Sequence, residues 1–252
     1  MEILGYSERG VLYSLIYEIS FSENSLRLLE EFLSLATFPY RETTFQLSGA
    51  EVLIEQSFSE FGVPDLIALI HNTGRKQVVF VEAKTESIYS EFEKFKAKLE
   101  GGERENIGSL LPTQLYYKTR LIDGLRLGGI RALKNSVRFS GIFKPKDKPY
   151  RTIGNNEIVL KAAAKVMEYS DDALFIALTP DEPSILKSFF EKLKNFSHKD
   201  LHGWKVDDWG YMSWKQVEEF CKRNKLMRTL RVFDWNRSKF FNGMKGGKHG
   251  HT

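Results

Sequence analysis

Two carboxylates and a lysine are set to meet at one end of an apolar hairpin. The run Gly62-Val63-Pro64-Asp65-Leu66-Ile67-Ala68-Leu69-Ile70 leads into a polar turn, His71 to Arg75, and then into Gln77-Val78-Val79-Phe80-Val81-Glu82-Ala83-Lys84. Both arms are apolar, rich in β-branched residues and of strand length, and Asn72-Thr73-Gly74 supplies turn chemistry; together these predict a β-hairpin. With the turn centred between Thr73 and Gly74, Asp65 falls opposite Glu82, their side chains roughly 5 Å apart on one face. Side chains alternate along a strand, so Lys84 lies on the same face as Glu82. Pro64 cannot donate to a central ladder and marks the strand start.

Two acids so close must be compensated. At about 4 Å and an effective dielectric near 20 they repel by roughly 4 kcal/mol. A lysine relieves part of this and a divalent cation more. Mg²⁺ takes oxygen ligands, usually one or two carboxylates with waters and phosphate oxygens. The group therefore suits metal-assisted attack of water on a phosphodiester, with the lysine holding or deprotonating the water. The competing account is a hairpin whose polar ends simply face solvent.

Pro64-Asp65 followed by Glu82-Ala83-Lys84 after a hairpin of this length resembles the motif of the PD-(D/E)XK nuclease superfamily. The resemblance is strongest from Glu8 to about Leu125. It implies an α/β restriction-endonuclease-like core: a central mixed β-sheet flanked by helices, continued here by a C-terminal α/β extension. It also implies a Mg²⁺ or Mn²⁺ cofactor held by Asp65 and Glu82, and a catalytic role for Lys84. The expected activity is phosphodiester hydrolysis, in DNA by family habit, although no residue excludes RNA. A glutamate on the first helix often joins such sites, and Glu8 is the residue that would do so here; an acid in a helix's first turn is also favourable without any function. Superfamily members of exonuclease type carry Gln and Tyr on the helix after the core. Gln114 with Tyr116 or Tyr117 resembles that pair, but the usual three-residue gap puts Lys118 at the Tyr position. Gln114, Tyr117 and Lys118 are accordingly the expected substrate contacts.

The chain of 252 residues, 42% hydrophobic and 28% charged, suits one ordinary domain with additions. Its net charge of +4 and pI of about 8.9 are compatible with a polyanionic partner. With Cys221 as the single cysteine, a disulfide framework or Cys-based zinc site is excluded within the chain. No signal peptide or membrane-length apolar run is present, so a soluble cytoplasmic protein without a membrane partner is expected. A homodimer is compatible with the sequence.

The other elements are read for how they would place these residues. Val11, Leu12, Leu15, Ile16 and Ile19 make one stripe of a helix starting at Ser7. Leu26, Leu28, Leu29, Phe32 and Leu33 face inward from a second, whose Glu30 and Glu31 are expected to be solvated. Glu51 to Ser57 alternate as a strand pairing with the Asp65 arm, with Glu55 a supplementary ligand or, in the favoured account, a solvent-facing strand residue. Glu86 to Asn106 reads as an exposed, charge-laced helix carrying Phe92, Phe95 and Leu99. A further helix opens at Pro112, with Leu115, Leu121, Ile122 and Leu125 inside and Gln114 and Lys118 on the same face.

Between Leu127 and Asn156 the pattern weakens, and Arg131, Lys134, Arg138, Lys144, Lys146, Lys148 and Arg151 interleave with Phe139, Phe143 and Tyr150. Such a segment can follow a phosphate backbone or be a solvated loop. A helix over Ile158 to Tyr169, a buried strand over Ala173 to Leu178 and a helix from Pro183 to Phe196 follow. His198 and His202 read as surface histidines, Trp204 to Val206 as an edge strand, and Met212 to Arg223 as a helix capped by Ser213. From Lys222 onward a basic stretch with Phe233, Trp235, Phe240 and Phe241 reads as a tail, solubilising or nucleic-acid-gripping, and 243–252 as disordered. One domain over 1–242 is expected, with its core over 7–125 and its extension over 126–242.

Overall fold

The computed structural model describes residues 7–101, 107–135, 137–138, 150–198, 201 and 203–241. The predicted hairpin forms as strands β2 (Leu66–Asn72) and β3 (Arg75–Ala83). Thr73 and Gly74 both take positive φ, 48° and 79°, the backbone of a type I′ turn whose twist matches that of the flanking strands. The turn sets the register: Leu66 pairs with Val81 and Asn72 with Arg75, so Asp65 and Glu82 come next to each other in the same alternation. Strand β1 (Leu47–Ile54) pairs antiparallel with β2, beginning earlier than its alternation suggests.

Beyond β3 the sheet turns parallel. Strand β6 (Ala173–Thr179) lies beside β3, and β7 (Trp209–Ser213) beside β6, giving a mixed five-stranded sheet in the order β1-β2-β3-β6-β7. The C-terminal residues therefore complete the sheet that carries the hairpin. Two short strands, β4 (Val137–Arg138) and β5 (Tyr150–Arg151), form a separate ladder. Every residue of β6 is buried, as a parallel strand covered on both faces requires.

Helices cover both faces. On one side α1 (Glu8–Ser20), α2 (Ser25–Leu33), α7 (Trp214–Arg223) and α8 (Met227–Phe241) pack on Leu66, Ala68, Ile70, Val79 and Val81. On the other, α3 (Glu91–Gly101), α4 (Leu111–Asn135), α5 (Glu157–Met167) and α6 (Pro183–Lys194) pack on Ile67, Leu69, Val78 and Phe80. The stripe of α1 is buried as its periodicity predicts, behind a Ser7 cap that accepts the Gly10 N–H.

Several expectations are corrected. Trp204 to Val206 is not a strand; the edge strand is β7, and α7 begins at Trp214, held by a capping box between Ser213 and Gln216. The weak stretch after Leu127 continues α4 as far as Asn135, across a kink where Gly129 has φ 62°. The basic segment after Lys222 is largely α8, because Val232, Phe233 and Phe240 bury against the opposite helices and the ring of Trp214 stands 4.7 Å from that of Phe240. Each such buried side chain contributes about 1.5–3 kcal/mol, which outweighs the helix's solvated basic face. The charged helix α3 likewise buries Phe92, Phe95 and Leu99. Glu30 and Glu31 are engaged too, Glu30 accepting the Leu47 N–H and Glu31 pairing with Arg27 and Asn224. His202, Phe139, Phe143, Lys144, Lys146, Lys148 and the stretch 243–252 lie outside the described residues.

Candidate active site

The acids of the hairpin lie where β3 and β6 end, outside the carboxyl edge of the parallel part of the sheet, the usual place for a site in α/β proteins. Asp65, at the mouth of β2, is 5% exposed. One carboxylate oxygen accepts the Ala83 N–H at 2.8 Å, and the other accepts Arg9 Nε of α1 at 3.2 Å. Arg9 also reaches Glu55 just past β1, at 2.6 Å. Glu55 is thus half of an ion pair at the rim, and Arg9 a member of the site that sequence pattern does not reveal. Burial raises the Asp65 carboxyl above its ordinary range against the opposing pull of the Ala83 N–H and Arg9, and Glu8 adds to the rise by repulsion.

Glu82 is 2% exposed and faces α4. There Lys118 brings its ammonium to 2.7 Å from Oε1. This buried ion pair is the contact that answers the Glu82 carboxyl. Burial lifts the Glu82 carboxyl, with Lys118 pulling it back down and Asp65 pushing it further up. Lys118 is itself almost fully buried, and room for it comes from Gly62, where φ is 88° and a β-carbon would stand 2.9 Å from Nζ.

Lys84 keeps the side of the sheet that its strand parity predicts, the side on which Glu82 meets α4. Its ammonium donates to the Ser109 carbonyl at 2.8 Å, so it stands at the mouth beside Glu82 without pairing with it. Its main chain is held on both sides: the N–H donates to Leu178 of β6, and the carbonyl accepts the Trp214 indole N–H at 2.7 Å. Two further acids frame this mouth. Glu91 accepts the Leu111 N–H at the start of α4, and burial raises its carboxyl while Lys84 opposes the rise. Asp181, past the end of β6, takes the Ile88 N–H and the Ser87 hydroxyl, tying down the segment that follows Lys84.

The remaining expected residues divide. Gln114 lies one turn before Lys118 with its amide oxygen buried and unpartnered among the described residues. Tyr117 is engaged by Arg151, whose guanidinium stands 3.9 Å over its ring and donates to its hydroxyl at 2.6 Å. Glu8 is half-buried and close enough to act on Asp65, but among the described residues no three His, Cys, Asp or Glu side chains gather to hold a metal. The donor type nonetheless suits a hard divalent cation: two carboxylates set opposite one another at the end of the hairpin. No helix among the described residues is long and apolar enough to cross a membrane.

Comparison with family models, with curated proteins and with solved structures finds no match to this chain.

Proposed function

We propose that this chain is a metal-dependent nuclease with a restriction-endonuclease-like core, hydrolysing phosphodiester bonds, DNA being the first substrate to test. The observation that carries the reading is the meeting of Asp65 and Glu82 across the hairpin register, with Lys84 at the mouth of the same site. Asp65 and Glu82 would hold Mg²⁺ or Mn²⁺, with Glu8 the nearest further acid. A bound divalent ion supplies polarisation of a phosphate oxygen and a more acidic water.

The chain's own groups have separable tasks. Lys84 has three donors and gives one to Ser109, leaving others to hold a water or steady a phosphate oxygen. Arg9, half exposed and anchored on Asp65 and Glu55, stands where a phosphate would approach. Ala83 N–H orients Asp65. Nucleic acid is the partner this reading requires, and a homodimer is compatible with it.

A second reading, a nucleic-acid-binding module without chemistry, is favoured by one observation: Lys118 already neutralises Glu82. Cleavage of single- and double-stranded DNA and RNA, with Mg²⁺, Mn²⁺ or EDTA, separates the two. The nuclease reading expects EDTA-sensitive cutting that falls about a hundredfold or more in folded Asp65→Asn and Lys84→Ala proteins. Salt-sensitive binding without cutting points to the module. Absence of both points to an interaction protein whose hairpin acids are structural.

A further inference from the structure

Lys118 occupies a place built for it. Its ammonium and Glu82 are each 2% exposed and 2.7 Å apart. Behind the ammonium the chain passes close at Gly62, whose φ of 88° favours glycine and where a β-carbon would stand 2.9 Å from Nζ. An ordinary helix-surface lysine needs neither arrangement. Lys118 also stands on the inner face of α4, between Leu115 and Leu121, both fully buried. A long charged side chain there must be matched by a charge, and Glu82 is that match.

A second observation sits one turn away. The Gln114 amide oxygen is buried without a hydrogen-bond partner among the described residues. Residues four apart on a helix are neighbours, and helical side chains lean toward the helix start, which aims Lys118 in the direction of Gln114. A buried acceptor with no donor calls for an explanation, and an ammonium one helical turn further along could supply the donor.

A divalent cation on Asp65 and Glu82 would compete with the Lys118 ammonium for the same carboxylate. On the Oε1 that Lys118 holds, a second cation would be repelled by the ammonium. We propose that Lys118 is the built-in counter-ion of Glu82, and that a divalent cation enters the site by displacing its ammonium toward the amide oxygen of Gln114. The inference rests on the metal site proposed above. In the metal-free protein Lys118 opposes the rise that burial imposes on the Glu82 carboxyl and holds the hairpin end against α4. Its hold on the carboxylate lowers the apparent cation affinity in proportion to the fraction of time the site is free of it. Lys118 is thus a positioning residue, one that ties the arrangement of α4 to occupancy of the site.

The test is Mg²⁺ binding read from thermal melting, without any activity assay, in wild type, Lys118→Met and Gln114→Leu. Lys118→Met should bind Mg²⁺ at least about tenfold more tightly than wild type, because the competitor is gone. It should also gain more melting temperature from saturating Mg²⁺. Gln114→Leu, which removes the receiving acceptor, should bind several-fold more weakly. Equal or weaker binding by Lys118→Met, with Mg²⁺ still stabilising wild type, overturns the displacement and leaves the metal site standing. No effect of Mg²⁺ on any of the three overturns the metal site and the displacement together. Should Lys118→Met fail to fold, wild type carrying isotope-labelled lysine decides. The protected ammonium resonance must shift or vanish on Mg²⁺ saturation; an unchanged signal with Mg²⁺ bound overturns the proposal.

Discussion

At the scale of single residues, Asp65 and Glu82 are both buried carboxylates with raised proton affinity, but they depend on different partners. Asp65 rests chiefly on a main-chain N–H, which an amide oxygen can accept as well. Glu82 balances a buried ammonium. Glu82→Gln should therefore cost about 3–5 kcal/mol in denaturant unfolding, since it strands Lys118, whereas Asp65→Asn should cost far less. The pH dependence has a definite sign. A carboxyl whose folded pKa exceeds its unfolded value contributes stability that is complete below the ordinary carboxylate range and is lost as pH rises through the folded value. The metal-free protein should lose melting temperature over that interval, and Asp65→Asn should lose less, in EDTA-containing buffers. A steeper loss in Asp65→Asn would contradict the burial argument. The register arithmetic that pairs these acids was legible from the hairpin alone. Arg9 and Lys118 were not legible as partners, because each comes from a helix whose rotation against the sheet local pattern does not specify. The one available signal for Lys118 was its polar side chain inside an apolar stripe.

At the scale of elements, the hairpin turn governs the site, since slipping the register by one residue would send Glu82 to the opposite face. Thr73 has φ 48°, unfavourable for a β-branched residue, whereas Gly74 at 79° is well suited. Gly74→Ala should cost about 1–2 kcal/mol, and Thr73→Asn should raise the melting temperature, Asn-Gly being the preferred type I′ pair. Thermal melts of both variants check this, and a stabilised Gly74→Ala would refute the turn assignment. The same contrast explains which elements the sequence made readable. Helix α1 and strand β6 carry strong apolar periodicity or continuity, whereas α8 is masked by its basic residues until Phe233 and Phe240 are seen to meet Trp214. Strand β7 was hidden because its five residues are buried on both sides and adjoin a helix cap, which leaves no alternation to detect.

At the scale of the molecule, the hairpin and its acids depend on residues far along the chain. Strand β6 lies directly against β3, pairing Glu82 with Ala177 and Ala83 with Leu178, and Trp214 holds the Lys84 carbonyl. A fragment ending at Leu125 leaves the β3 edge unpaired and Val79 and Val81 uncovered by their C-terminal neighbours. It should show no cooperative unfolding by circular dichroism, while the full chain should melt in one transition; a cooperative melt of the fragment would show that its first 125 residues form a self-sufficient core.

The amino-acid order by itself determined the hairpin, its register and most helices, because these follow from local periodicity and turn chemistry over a few residues. It also placed Asp65 opposite Glu82. Only the tertiary structure decided which cation answers which acid: Lys118 rather than Lys84 on Glu82, and Arg9 on Asp65. That choice depends on the packing of α1 and α4 against opposite faces of one sheet, a long-range arrangement set by the summed burial of two cores and by the backbone space at Gly62.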